Sequence, residues 1–160
     1  MKMKRIAQFE KVSLQEFSKS SEIKLYADIN LPKRATSGSA GYDFFAPDTF
    51  TINPKETIKI ATGIRVKIEE GWVLKIYPRS SLGFKYRLTL NNTVGIIDSD
   101  YYYADNEGHI FVKMTNLSDQ TLTVEKGKAF AQGVFVEYGI TFDDDATDLR
   151  TGGFGSTDKK

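Results

Sequence analysis

Residues 95–101 read Gly-Ile-Ile-Asp-Ser-Asp-Tyr, two carboxylates separated by one residue and followed by an aromatic ring. Strand side chains alternate faces, so a strand carried through this stretch puts Asp98 and Asp100 on one face and Ser99 on the other. Two carboxylates held close repel, which makes one of them a better proton acceptor and suits it to general-base work. Tyr101 adds a flat apolar wall with a polar tip. The competing reading is a strand that ends in an acidic turn, where Asp and Ser are common. A second segment stands out at the C-terminus, where residues 151–160 carry three glycines and one ring, Phe154. Such a tail is expected to be mobile until something ties it down. Phe154 has no core of its own to join there and is left to pack on a ligand or another subunit.

Most of the chain alternates apolar and polar residues in short segments broken by Gly, Pro, Asn and Asp, which predicts an all-β sandwich or barrel. Strands are predicted at 58–60, 63–68, 72–77, 95–97, 110–114, 121–124 and 129–136. In Ile64-Arg65-Val66-Lys67-Ile68 the alternation is strict, implying one buried and one wet face. Helix is scarce. Ser13-Leu14-Gln15-Glu16 fits a capping box and predicts a short helix near 14–19, and a second short turn is expected after Pro78-Arg79-Ser80-Ser81. The acids of 143–148 repel one another and read as a solvated loop.

Composition excludes several chemistries. The chain has 160 residues, one domain by length, with 22 basic against 21 acidic residues. So even a balance argues against nucleic-acid binding over the whole surface. There is no cysteine and a single histidine, His109, so disulfides, thiol chemistry and the usual zinc sites are out of reach. Metal chemistry is left to oxygen ligands, which favour Mg²⁺ or a similar hard ion. No apolar h-region follows the basic N-terminus and no run reaches the ~18 apolar residues of a membrane span, so a cytoplasmic protein is expected.

Five short motifs follow in fixed order: Ala40-Gly41-Tyr42-Asp43; Pro78-Arg79-Ser80-Ser81-Leu82; Asn92-Thr93-Val94-Gly95-Ile96-Ile97-Asp98-Ser99-Asp100-Tyr101; Gly127-Lys128-Ala129-Phe130-Ala131-Gln132; and Arg150-Thr151-Gly152-Gly153-Phe154-Gly155-Ser156-Thr157. Each is weak alone. Together, from about Leu31 to Thr157, the chain resembles the homotrimeric dUTP pyrophosphatase family. The resemblance implies a distorted jelly-roll β-barrel over residues 1–149 and a flexible glycine-rich arm over 150–160. It implies a homotrimer with active sites shared between subunits. The implied reaction is Mg²⁺-assisted hydrolysis of dUTP to dUMP and pyrophosphate, which keeps uracil out of DNA and supplies dUMP.

The same resemblance implies roles. Asp98 would orient and activate the water that attacks the α-phosphorus. Arg79, Ser80 and Ser81 would hold the α- and β-phosphates, a task suited to a guanidinium fork and hydroxyl donors. Asn92 would read the uracil edge with its amide, helped by backbone groups of Gly95, Ile96 and Ile97. Tyr101 would lie under the deoxyribose and exclude a 2′-hydroxyl. Asp43 would support water around Mg²⁺ rather than bind the ion directly. Gln132 would help hold the phosphates and the water. In the arm, Phe154 would stack on uracil while Ser156, Thr157 and the glycine amides, Gly155 among them, meet the γ-phosphate, with Arg150 nearby.

The chain also departs from the family pattern. Tyr102-Tyr103-Ala104-Asp105-Asn106-Glu107 stand between Tyr101 and Gly108, which reads as a lengthened hairpin tip with His109 on its return strand in a structural role. Ala129 replaces an arginine common in the fourth motif, and the arm is one residue shorter between Arg150 and Phe154. Residues 1–30 match poorly and are left without a role. Two rivals differ in kind. A dCTP deaminase of the same fold would need a glutamate base in the pocket. A nucleotide-gated interaction protein would bind a regulatory partner through the N-terminus and the Tyr101-Tyr102-Tyr103 segment.

Overall fold

The computed structural model describes residues 2–153. Twelve strands run in chain order among them: β1 (Ala7–Lys11), β2 (Lys33–Arg34), β3 (Tyr42–Phe45), β4 (Phe50–Ile52), β5 (Thr57–Ala61), β6 (Ile64–Ile68), β7 (Trp72–Pro78), β8 (Leu88–Leu90), β9 (Gly95–Ile97), β10 (Phe111–Asn116), β11 (Leu122–Val124) and β12 (Ala129–Glu137). Two short α-helices, α1 (Leu14–Ser18) and α2 (Ser80–Tyr86), and two 3₁₀ segments, Ile23–Asp28 and Ser99–Tyr103, complete the set. All seven predicted strands are present to within two residues. Strands β1 to β4 and β8 escape prediction.

Every named strand pairing is antiparallel, and the strands divide into four sheets, ordered β1-β6, β5-β10-β8, β11-β4 and β2-β3-β12-β7-β9. No single continuous barrel closes among them. Alternation decides which side of each strand is dry: Ile64, Val66 and Ile68 of β6 are buried while Lys67 faces out. The dry faces meet in one core that includes Phe17, Phe44, Ile52, Leu74, Ile76, Met114 and Phe130, each at most 1% exposed. Burying side chains of this size contributes roughly 1.5–3 kcal/mol apiece. The buried Asn116 is satisfied: its amide donates to the carbonyls of Ile52 and Gln120, and its oxygen accepts from Ser118.

The N-terminal helix forms where its cap predicts, with the Ser13 hydroxyl accepting from the Glu16 N–H at 3.1 Å. The box is completed from elsewhere. Glu16 turns inward, and the Ser13 N–H and hydroxyl go to Glu107 instead.

β9 ends at Ile97, as the strand predicted at 95–97 has it, and the chain coils into the 3₁₀ segment with Asp98 at its N-cap. The expectation of a long hairpin tip needs correction. After the coil, Gly108 turns at φ +72°, and a Cβ there would sit 2.7 Å from the Tyr101 carbonyl oxygen and 2.8 Å from the Tyr102 Cα, so only glycine fits. His109 precedes β10 rather than lying on it.

No helix of the described residues is long and apolar enough to cross a membrane.

Candidate active site

The five-stranded sheet brings three of the five motifs to one cleft. Cross-strand register sets Gln132 of β12 opposite Asp43 of β3 on one side and Tyr77 of β7 on the other. The Gln132 amide donates at 3.3 Å to the Pro78 carbonyl and to the Ser80 hydroxyl, tying β12 to the start of α2. Gly41 makes room for that amide, since a Cβ would come within 2.6 Å of the Gln132 Oε1. The resulting cleft, about 570 Å³, is lined by Ala40, Gly41, Asp43, Arg79, Ser80, Ser81 and Gln132, together with Ala35, Ser39 and Val134. Arg79, Ser80 and Ser81 are exposed. One guanidinium, two hydroxyls and an amide facing the same space can take several anionic oxygens at once. Ser39 and Val134 were not singled out from sequence, although Val134 lies two residues from Gln132, where alternation returns a side chain to the same face.

A second cluster forms around the third motif. The Arg150 guanidinium donates to Asp98 Oδ2 at 2.7 Å and to Asp100 Oδ1 at 2.8 Å. The two carboxylates are therefore brought together as the heptad suggests, by a shared cation and a 3₁₀ turn rather than by a strand face. Asp98 is about half exposed, within reach of solvent and of any ligand that approaches. The start of the C-terminal segment is thus tied to its own chain: besides Arg150, the Thr151 carbonyl accepts from the Asp105 N–H at 3.1 Å. Phe154, Gly155, Ser156 and Thr157 lie outside the described residues.

Tyr101 is only 5% exposed, and its hydroxyl is turned into the protein. That hydroxyl donates to the His109 carbonyl at 2.5 Å and accepts from the Asn106 amide at 2.9 Å. Burial raises its pKa above the ordinary phenol value, with Asn106 and Arg150 acting in the opposite sense. The polar tip is thus committed inward, which leaves the ring to act by shape. Asn106 was not anticipated; it sits in the inserted segment, where the sequence carries no strong pattern.

Asn92 is exposed in the turn between β8 and β9 and lines a separate hollow of about 330 Å³ with Lys59, Asn91, Phe111 and Lys113. Gly95 and Ile97 are buried in β9, and Ile96 between them is half exposed. Neither Asn92, Asp98 nor Tyr101 lines the Arg79 cleft.

His109 is fully buried and belongs to the framework. Its Nε2 accepts from the Gly63 N–H at 2.9 Å, and its Nδ1 stands 3.6 Å from Glu16 Oε1. The acids of 143–148 are exposed along their length, and among the described residues no group of three or more His, Asp or Glu could hold a metal ion.

Comparison with known proteins gives this geometry its context. A family model described as dUTPase matches residues 27–158. Among curated proteins, the deoxyuridine 5′-triphosphate nucleotidohydrolase of Lactococcus lactis is 46% identical over 134 residues, covering 82% of this chain and 89% of that protein. The enzyme of the same description from Chromobacterium violaceum is 42% identical over 136 residues, 80% of this chain and 87% of that one. Among solved structures, a dUTPase from Streptococcus mutans superposes with a TM-score of 0.66 at 36% identity, over 83% of this chain and 97% of that chain. A dUTPase from phage phi11 of S. aureus superposes at 0.67 with 20% identity over 91% of this chain and 98% of its own, a likeness of fold.

Proposed function

The chain belongs to the dUTPase family, and on that premise we propose that it hydrolyses dUTP with Asp98 as general base and the Arg79 cleft as triphosphate seat. Asp98 orients a water and takes its proton as the water oxygen bonds to the α-phosphorus. The bond from that phosphorus to the bridging oxygen of the β-phosphate breaks, and pyrophosphate leaves dUMP behind. Reactions of this kind depend on positioning and electrostatics more than on covalent chemistry. The carrying observation is the convergence of Asp43, Arg79, Ser80, Ser81 and Gln132 on one cleft.

Arg79 grips phosphate oxygens, the Ser80 and Ser81 hydroxyls donate to them, and Gln132 holds phosphate and water from the facing strand. The ring of Tyr101 floors the deoxyribose. Asn92 and the backbone of Gly95, Ile96 and Ile97 read the uracil edge. Arg150 exchanges Asp98 and Asp100 for the γ-phosphate as Phe154, Gly155, Ser156 and Thr157 close over the nucleotide, which frees Asp98 for the water.

Mg²⁺ fits this site as an ion held by substrate. The donor set is all oxygen, and one acid, Asp43, faces the cleft, where it would hold a water of the ion rather than the ion itself. The ion would neutralise the triphosphate.

Three chains would complete the sites. Motif residues divide between the Arg79 cleft and the Asp98 cluster, and large apolar groups stand in solvent on one chain: Phe84 is 93% exposed, Ile140 75% and Leu149 91%. Exposed apolar groups of this size favour burial against another subunit. The cytosol is the proposed compartment.

Pyrophosphate release measured against dUTP, dCTP, dTTP and UTP tests the reading. Turnover of dUTP far above the other three is expected. Ammonia from dCTP, or equal use of UTP, would overturn it.

A further inference from the structure

The N-terminal segment, most of which lies ahead of the family match at residues 27–158, touches the loop that carries Tyr101 at three places. Glu10 Oε2 accepts from the Tyr102 hydroxyl at 2.9 Å, while Arg65 lies with its Cζ 3.7 Å from the Tyr102 ring centroid. Glu107 accepts from both the N–H and the hydroxyl of Ser13. Deepest of the three, Glu16, 4% exposed, sets its Oε1 3.6 Å from Nδ1 of the fully buried His109.

That last pair is unusual in its cost. A buried carboxylate loses its hydration, and Lys19, at 2.6 Å from Oε2, satisfies only the outer oxygen. Because His109 Nε2 accepts from the Gly63 N–H, the ring proton lies on Nδ1, aimed at the inner oxygen of Glu16. Nδ1 makes no hydrogen bond among the described residues, and the Glu16 carboxylate at 3.6 Å is the acceptor that stands beside it. The main chain of the same histidine receives the Tyr101 hydroxyl. A line of contact therefore runs from α1 through the imidazole and its carbonyl to the ring beneath the proposed sugar site.

We propose that Glu16 and His109 are positioning residues for sugar discrimination. They fix the height and tilt of the Tyr101 ring, and so the space denied to a 2′-hydroxyl. The proposal rests on the reading of Tyr101 as the floor of the deoxyribose. It assigns the N-terminal segment a part in specificity that shape alone can exert, since the Tyr101 hydroxyl is used inside the protein. A ring displaced by an ångström changes what fits above it, and misplacements of that order cost up to ~10²-fold in rate.

The test compares kcat/KM for dUTP and UTP in the full-length enzyme and four variants. Tyr101→Ala should collapse the dUTP-to-UTP ratio. Glu16→Ala should lower it about tenfold, within the range that a misplaced group costs. Glu16→Gln, which keeps the side chain's length and an oxygen to set beside Nδ1, should restore most of it. Tyr101→Phe, which removes only the hydroxyl that reaches His109, should lower the ratio as Glu16→Ala does. It reads the same tether if Glu16→Ala does not fold. General loosening would lower both substrates' turnover together and leave the ratio alone. A ratio that collapses in Tyr101→Ala yet stays within about twofold of wild type in Glu16→Ala and Tyr101→Phe would overturn the brace and leave the sugar floor standing. A ratio unchanged in Tyr101→Ala would overturn both.

Discussion

The Arg79 cleft and the Asp98 loop are positioned by different means. In the cleft, backbone ladders do the placing: β12 is paired on both edges, so Gln132 and Asp43 have no other place to go. Around residues 98–109, side chains do it. Arg150 joins Asp98 to Asp100, Asn106 reaches Tyr101, His109 receives Gly63, and Glu107 caps Ser13 from 94 residues away. A ladder spreads its cost over many bonds, whereas each side-chain tie in the loop is a single point of failure. Substitutions in the cleft should therefore be felt in activity with little loss of stability. Substitutions in the loop should show in one or both according to which tie is cut.

The sharpest contrast lies inside the loop, between two acids that share one arginine. Asp98→Asn should lower kcat by ~10²–10⁴-fold, the usual cost of removing a general base. Its fold should survive, because both acids are about half exposed and a pair of this kind contributes ~0–1 kcal/mol. Asp100→Asn removes an equivalent contact to Arg150 without touching the proposed base, so its effect should stay below about fivefold, the equivalent of ~1 kcal/mol. Steady-state kinetics on the two variants decides the assignment. Equal losses would show that the pair acts as one electrostatic unit and that Asp98 holds no special place.

The same division governs what could be read from the sequence. Strands β5 to β7 and β9 to β12 were legible from alternation, and the cleft's motif residues were legible from their motifs, Asp43 among them although its strand β3 was not. Ser13 was legible as a cap, because capping depends on neighbours three residues away. Glu107 completing that cap was not, since nothing local links positions 13 and 107. Gly108 and the 3₁₀ coil were misread as a hairpin for a related reason. Three tyrosines have high strand propensity, but Tyr101 is fixed by burial and by two hydrogen bonds from outside its own segment. The role of His109 as an acceptor could not be seen before Gly63 was known to face it.

Two glycines turn the contrast into a measurement of stability. At Gly108 an added Cβ meets main-chain atoms at 2.7 and 2.8 Å with φ at +72°. Left-handed backbone alone costs an L-residue ~1–2 kcal/mol, and the clash adds to it. For a chain of this length Gly108→Ala should lower the melting temperature by roughly 4 °C or more, at ~2–4 °C per kcal/mol. At Gly41 the Cβ meets only the end of the Gln132 side chain, which can swing away. Gly41→Ala should melt close to wild type yet lose about tenfold in kcat/KM, because the displaced amide no longer holds Ser80, and a lost hydrogen bond of this kind is worth ~0.5–1.5 kcal/mol. A Gly41→Ala enzyme of full activity would show that Gln132 is only a strand residue.

The smallest effect at neutral pH should come from the chain's one histidine, and it grows with acid. Burial pushes His109 below its ordinary pKa; Glu16 and Glu107 oppose that shift, and Lys59 adds to it. A second proton would have to enter at Nε2, the atom that accepts from Gly63, so protonation also breaks a buried hydrogen bond. In the unfolded chain the imidazole titrates near 6.5. Below that pH the unfolded state binds the proton that the folded state refuses. The contribution of neutral His109 is thus fully present above about pH 6.5 and is lost as pH falls toward the depressed folded value, by up to ~1.4 kcal/mol per pH unit. The cleft contains no histidine, so this acid sensitivity should belong to the loop alone. Melting temperatures at pH 7.5, 6.5 and 5.5 should fall in wild type between the last two values. His109→Gln, which keeps an amide oxygen for Gly63 and cannot titrate, should start lower and hold level over the same interval. Parallel curves for the two proteins would mean that His109 takes up its proton as easily in the fold as outside it.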